Sequence, residues 1–223
     1  MGKKKLQRFA ENLTFVNLFQ PGFKDLEDGF THRGRWHEYF QNNNPIILEL
    51  GCGKGEYAIG LAARHPERNY IGIDIKGARL WKGCKLSHDM GLNNVAFIRT
   101  RIELIEKFFI PGEVKELYIT FPDPQPKRIR EKKRLTSGIF LRRYLNILDP
   151  DHTVHLKTDD AGLFEYTQGL IHTDHHQLFY STNDVYNSNC PEEIREIQTF
   201  YEQKWLEKGK KINYIAFKIH PYV

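Results

Sequence analysis

The chain has 223 residues, 40% of them hydrophobic, which is enough for one full globular domain and short for two. Formal net charge is +5, and the basic residues gather at 3–5 with Arg8 and again at 127–134. Such clustering suits an anionic partner, nucleic acid before a membrane surface. No apolar run approaches a membrane span, the first residues lack the apolar core of a signal peptide, and Cys52, Cys84 and Cys190 have no disulfide or metal spacing, so a cytoplasmic protein with reduced thiols is expected.

Residues 1–44 are basic, then mixed, with Pro21-Gly22 breaking any long helix and a short helix over 33–40. Asn42-Asn43-Asn44-Pro45 reads as the link from this arm or cap into a domain covering 45–223. From Pro45 strands and helices alternate. Strands are expected at 46–50, 70–74, 95–98, 117–120 and 153–157, and helices at 56–64, 78–90, 102–108, 137–147 and 161–172. Continuous apolar strands separated by helices imply a parallel sheet covered on both faces. The ending differs, with a strand at 177–181, one helix over 192–207 and a strand at 212–219. The expected fold is therefore α/β, a single-domain doubly wound, Rossmann-like sheet, mostly parallel with an antiparallel last strand.

Gly51-Cys52-Gly53-Lys54-Gly55 lies between the first of these strands and its helix, the context in which glycines signal a nucleotide. Asp74 closes the next strand, where a carboxylate can take both hydroxyls of a ribose. Dinucleotide enzymes share this much. The spacing, however, is G-x-G-x-G, and Glu49 ends the first strand, where its charge would repel a pyrophosphate. S-adenosylmethionine carries an ammonium and a sulfonium cation and no phosphate, so a carboxylate beside the loop suits it better.

A second stretch, Phe121-Pro122-Asp123-Pro124-Gln125-Pro126, follows the strand at 117–120 and runs into Lys127, Arg128, Arg130, Lys132, Lys133 and Arg134. Prolines on both sides of Asp123 exclude a helix and are expected to hold its carboxylate in a stiff extended corner. A carboxylate at a strand end beside a polycation suits an enzyme acting on a polyanion. The same residues also read as a turn followed by a solvated charge run.

These motifs resemble a known family. LELGCGKG with IGIDI looks like motif I and the ribose acid of class I methyltransferases. FPDPQPKRIREKKRL, KTDD at 157–160 and TFYE at 199–202 resemble, in order, three signatures of the tRNA (guanine-N7)-methyltransferases. The resemblance implies S-adenosylmethionine as cofactor, tRNA as partner, and methylation of a guanine in the tRNA variable loop. By position it implies that Glu49, Gly51, Gly53, Asp74 and Asp123 contact the donor. It implies that Lys127, Asp159, Thr199, Phe200, Tyr201 and Glu202 contact the substrate. Two positions depart from the pattern. Gln125 replaces the usual tryptophan, and Arg101 stands where a carboxylate or amide is usual near the adenine, so Arg101 is expected to bind through its backbone amide.

The chemistry asks little of a base. Guanine N7 carries an in-plane lone pair and no proton, so attack on a methyl needs an in-line approach at about 3 Å and exclusion of water. The product base is cationic, and Asp123 is expected as the catalytic residue through orientation and charge stabilisation. Asp159 and Glu202 are the candidates for the two donors on the Watson–Crick edge; Phe121 and Tyr201 are candidates for stacking the base. Thr199 and Glu202 are expected on one face of the last helix, beside a stripe of Ile194, Ile197, Tyr201 and Trp205. Asp160 is expected as the N-cap of the helix at 161–172. His172, His175 and His176 lack an acid or cysteine to complete a ligand set, so no metal is expected. A monomer or homodimer fits equally. Another class I RNA base methyltransferase, a dinucleotide oxidoreductase and a non-catalytic RNA-binding module stay open as other readings.

Overall fold

The computed structural model describes residues 3–221, excepting the side chains of residues 3–5 and 23, so the expected phosphate contacts of Lys3, Lys4 and Lys5 lie outside the described residues. Contacts divide the chain into two units, Met1–Ile110 and Pro111–Val223.

In the first unit the elements run α1 (Lys3–Glu11), β1 (Leu18–Phe19), α2 (Phe23–Glu27), α3 (Trp36–Phe40), β2 (Ile46–Leu50), α4 (Glu56–Arg64), β3 (Asn69–Asp74), α5 (Gly77–Asp89) and β4 (Val95–Arg99). The strands order β1-β4-β3-β2, and every pair is parallel. β2 and β3 are buried along their whole length, as continuous apolar strands of a parallel sheet must be. The described part of residues 1–44 packs within this unit. Asn12 donates to the Gly77 carbonyl at 2.9 Å, Arg8 lies 4.8 Å over the Trp81 ring, and buried Trp36 donates to the Phe108 carbonyl at 3.1 Å. The expected helix at 102–108 is a 3-10 turn, Ile102–Lys107.

In the second unit the elements are β5 (Val114–Thr120), a 3-10 turn (Arg128–Lys133), α6 (Gly138–Leu145), β6 (Leu148–Thr158), α7 (Ala161–Thr173), β7 (Gln177–Thr182), α8 (Glu192–Glu196), α9 (Phe200–Leu206) and β8 (Asn213–Lys218). The order is β5-β6-β8-β7. β5 and β6 are parallel, while β8 lies between β6 and β7 and is antiparallel to both. The fold is thus α/β, mostly parallel with antiparallel pairing at the end, as expected. Among the described residues no helix is long and apolar enough to cross a membrane.

A second expected element is corrected. The helix over 192–207 is two short helices, because Thr199 caps α9 by accepting from the Glu202 N–H at 3.2 Å. The apolar stripe breaks with it: Ile194 and Ile197 are buried, while Tyr201 is 40% exposed.

The packing under the glycine loop converges on one ring. A Cβ on Gly55 would overlap Phe97, and a Cβ on Gly72 or Gly83 would come within 2.8 Å of the same ring. Gly55 also has φ +69, a conformation that L side chains rarely adopt. Gly55→Ala is therefore expected to cost roughly 2–4 kcal/mol, adding overpacking to backbone strain. Urea unfolding would measure it. Gly53→Ala, whose Cβ would meet only the Gly51 carbonyl at 4.0 Å, should carry the backbone part alone and cost less.

Candidate functional sites

In the first unit the loop after β2 brings two carboxylates together. Glu49 is buried near the end of β2, and its Oε2 accepts from the Ala58 N–H at 2.9 Å, in the first turn of α4. A helix N-terminus is where an anion is best held. Asp74 ends β3; its Oδ2 accepts from the Gly53 N–H at 2.9 Å and its Oδ1 from the Lys76 N–H at 2.7 Å. Asp74 therefore ties the loop, and Glu49 the start of α4, to the strand ends. The Cys52 thiol between them is pushed well up, first by burial and then by these two carboxylates. Gly51 and Gly53 have φ +70 and +58. Space opens at Gly53, so a ligand can approach the backbone there. This charge suits a cationic ligand and opposes a pyrophosphate. Arg101 is exposed and extended at the start of the 3-10 turn after β4.

In the second unit β5 runs out into the turn carrying Asp123. The Phe121 N–H donates to the Lys157 carbonyl at 2.8 Å, extending the β5–β6 ladder. Phe121 itself has φ +47 and Gln125 φ +48, so two left-handed residues bracket Asp123, and the segment between them forms no helix. Asp123 is exposed, and its Oδ1 accepts from the Gln125 N–H at 3.1 Å. Gln125, which departs from the tryptophan of the pattern, serves as a left-handed turn residue. Lys127, Arg128, Arg130, Lys132 and Lys133 follow on an exposed 3-10 turn; Arg134 is half-buried.

The TFYE stretch is built around a buried cation. Lys157 of β6 is 2% exposed; its ammonium donates to the Ile194 and Ile197 carbonyls at the end of α8 and pairs with Glu202 Oε1 at 2.7 Å. Tyr186 donates to the same oxygen at 2.8 Å. Burial pushes the Lys157 ammonium down and the Glu202 carboxyl up, and their mutual attraction opposes both shifts. Glu202 is fully buried, so its carboxylate does not face solvent as a free acceptor for a base. The helix break leaves Phe200 and Tyr201 51% and 40% exposed. Asp159 pairs with Lys210 at 2.6 Å, and Asp160 caps α7, as expected, by accepting from the Leu163 N–H at 2.7 Å.

Three residues that shape these sites carried little signal as single letters. Lys157 lay within KTDD but reads as a surface charge. Tyr186 reads as an ordinary aromatic, and so does Tyr166, whose ring lies 4.2 Å under the Arg134 guanidinium carbon. The break before α9 had a usable signal in Thr199-x-x-Glu202, the spacing of a capping box. Here the glutamate turns to Lys157 instead of back to its own helix.

The fold and the carboxylate-flanked glycine loop are those of a class I methyltransferase, and a family model described as "Putative methyltransferase" matches residues 43–215. Solved structures agree on the fold. The 16S rRNA methyltransferase KamB superposes with a TM-score of 0.63 at 15% identity, covering 84% of this chain and 94% of its own. A 16S rRNA adenine methyltransferase from Catenulisporales acidiphilia, solved with cosubstrate SAM, gives 0.55 at 13% identity over 84% of this chain and 92% of its own. Curated relatives are much closer in sequence. The tRNA (guanine-N(7)-)-methyltransferase of Christiangramia forsetii is 54% identical over 97% of this chain and 98% of its own length. Those of Bacteroides thetaiotaomicron and Bacillus subtilis are 45% and 36% identical, over 98% and 81% of this chain and 87% and 84% of theirs. The chain belongs to the tRNA (guanine-N(7)-)-methyltransferase family.

The Lys157–Glu202 pair makes a testable statement about the TFYE turn. Lys157→Met and Glu202→Leu should each destabilise by about 3–5 kcal/mol, since each leaves a buried charge unpaired. The double variant should cost less than their sum by roughly 1–3 kcal/mol, read from urea unfolding as a double-mutant cycle.

Proposed function

We propose that this protein transfers a methyl group to the N7 atom of a guanine in the variable loop of tRNA, giving 7-methylguanosine, with S-adenosylmethionine as donor. The observation that carries the reading is identity of 54% along almost the whole of a relative whose name is tRNA (guanine-N(7)-)-methyltransferase. The physical chemistry agrees with it. Glu49 and Asp74 give the glycine loop a negative character that favours the cationic donor, and the exposed cations at Lys127–Lys133 favour RNA phosphates. Three free, buried cysteines support a cytoplasmic setting.

When bound, S-adenosylmethionine supplies an electrophilic methyl group. The residues do the rest. Glu49 offers a carboxylate to the donor's cationic end, Asp74 one to its ribose, Gly51 and Gly53 an open backbone, and Arg101 its amide near the adenine. Guanine N7 has no proton to lose, so Asp123 acts without accepting one. It orients donor and base and opposes the positive charge that grows on the ring. Asp159 is favoured over Glu202 as acceptor for the Watson–Crick edge, because the Glu202 carboxylate is buried. Glu202 acts from inside by holding Thr199, Phe200 and Tyr201, the last two offering rings on which a base stacks. Lys127 sits next to the Asp123 turn and takes the phosphate nearest the reacting base.

Radiolabelled methyl transfer to unmodified tRNA transcripts, with and without the variable-loop guanine, tests the reading directly. Label should enter only the transcript with the guanine, and equal labelling of both would overturn the assignment. Asp123→Asn should lower kcat by about 10²–10³-fold, the scale of losing one preorganised electrostatic group, without a new pH dependence. Near-full turnover would remove Asp123 from the chemistry. Affinity for tRNA should fall with salt at a log–log slope of roughly −0.7 to −0.9 per phosphate neutralised.

A further inference from the structure

The last member of the basic run behaves unlike the others. Lys127, Arg128, Arg130, Lys132 and Lys133 are exposed, whereas Arg134 is half-buried with its guanidinium turned toward its own chain. Its Nε donates to the Pro124 carbonyl at 3.2 Å, and Nε and Nη2 both donate to the Gln125 carbonyl at 3.4 Å. Its Cζ lies 4.2 Å from the centroid of the Tyr166 ring on α7. The Tyr166 phenol is pushed up to about 12, by burial first and by the neighbouring Glu131 carboxylate next.

The two carbonyls belong to the turn that carries Asp123. This turn holds Phe121 and Gln125 at φ +47 and +48, and a left-handed residue other than glycine costs about 1–2 kcal/mol. Such a turn persists only if its surroundings hold it. A planar guanidinium meets two successive carbonyls and sits over an aromatic ring at once, a combination that a lysine ammonium matches poorly. We propose that Arg134 is a positioning residue of the methyl transfer, clamping the Asp123 turn between β5 and Tyr166, and not one of the phosphate contacts. The kinetic part of this rests on the function proposed above; the clamp itself does not.

Arg134→Lys keeps the charge and loses the fork and the stacking, while Arg134→Gln also loses the charge. In both, kcat for tRNA methylation should fall by about 10–100-fold, the effect of a slightly misplaced reactive group. The slope of log KM against log salt should stay at the wild-type value. Arg130→Gln should behave oppositely, raising KM and reducing the slope by about 0.7–0.9. Tyr166→Leu should reproduce the Arg134→Lys loss, and Tyr166→Phe, which keeps the ring, should retain most of kcat. Hydrogen exchange on the free protein reads the clamp without RNA: the Phe121, Asp123 and Gln125 amides should exchange faster in Arg134→Lys and Tyr166→Leu. Retained kcat in Arg134→Lys, unchanged exchange, or a slope lowered by one phosphate in Arg134→Gln would each overturn the proposal. If wild-type protein methylated no tRNA, the functional reading would fail, and exchange alone would decide the clamp.

Discussion

A buried lysine organises the second unit. The Lys157 carbonyl receives the Phe121 N–H and so fixes where β5 ends and the Asp123 turn begins. Its ammonium gathers the Ile194 carbonyl of α8, the Ile197 carbonyl just beyond it and the Glu202 carboxylate of α9. The FPDP and TFYE stretches are far apart in sequence, yet both take their positions from this residue. Burying an ammonium is costly, and it is tolerated here because a carboxylate and two orphaned helix-end carbonyls satisfy it together. An apolar side chain of similar length would remove the cost of desolvation and would also leave α8 without a partner for its C-terminal carbonyls.

The glycine loop of the first unit is organised by a different constraint. Three glycines make room for Phe97, and two carboxylates accept backbone N–H groups from the loop and from α4. The same carboxylates have a structural and a chemical use. They stitch the strand ends to the loop, and they leave it negative enough to prefer a cationic ligand.

The basic run shows why composition alone misleads about individual residues. Six cations in eight positions read as one electrostatic patch, and five of them are exposed in that way. The sixth is absorbed by its own turn, where geometry and not charge makes it useful. The single expected helix over 192–207 misled for a related reason. Its apolar periodicity runs through the break, where Thr199 caps α9 and a lysine from another strand takes the Ile194 and Ile197 carbonyls.

Much of the fold was legible in the sequence because its signals are local. Apolar strand runs, the glycines after the first of them, the acid at the end of the next and the prolines around Asp123 each act through neighbouring residues, so β2 and α4 fall where periodicity puts them. The family was legible in four ordered motifs. Tertiary structure alone decided how the motif residues divide their labour. Glu202 went inside and Phe200 and Tyr201 outside because Lys157 needed a counter-charge. Arg134 turned inward because a strained turn needed a fork of donors and a ring stood beside it. Those outcomes depend on which groups distant segments bring together, and burial then penalises every charge left unpaired.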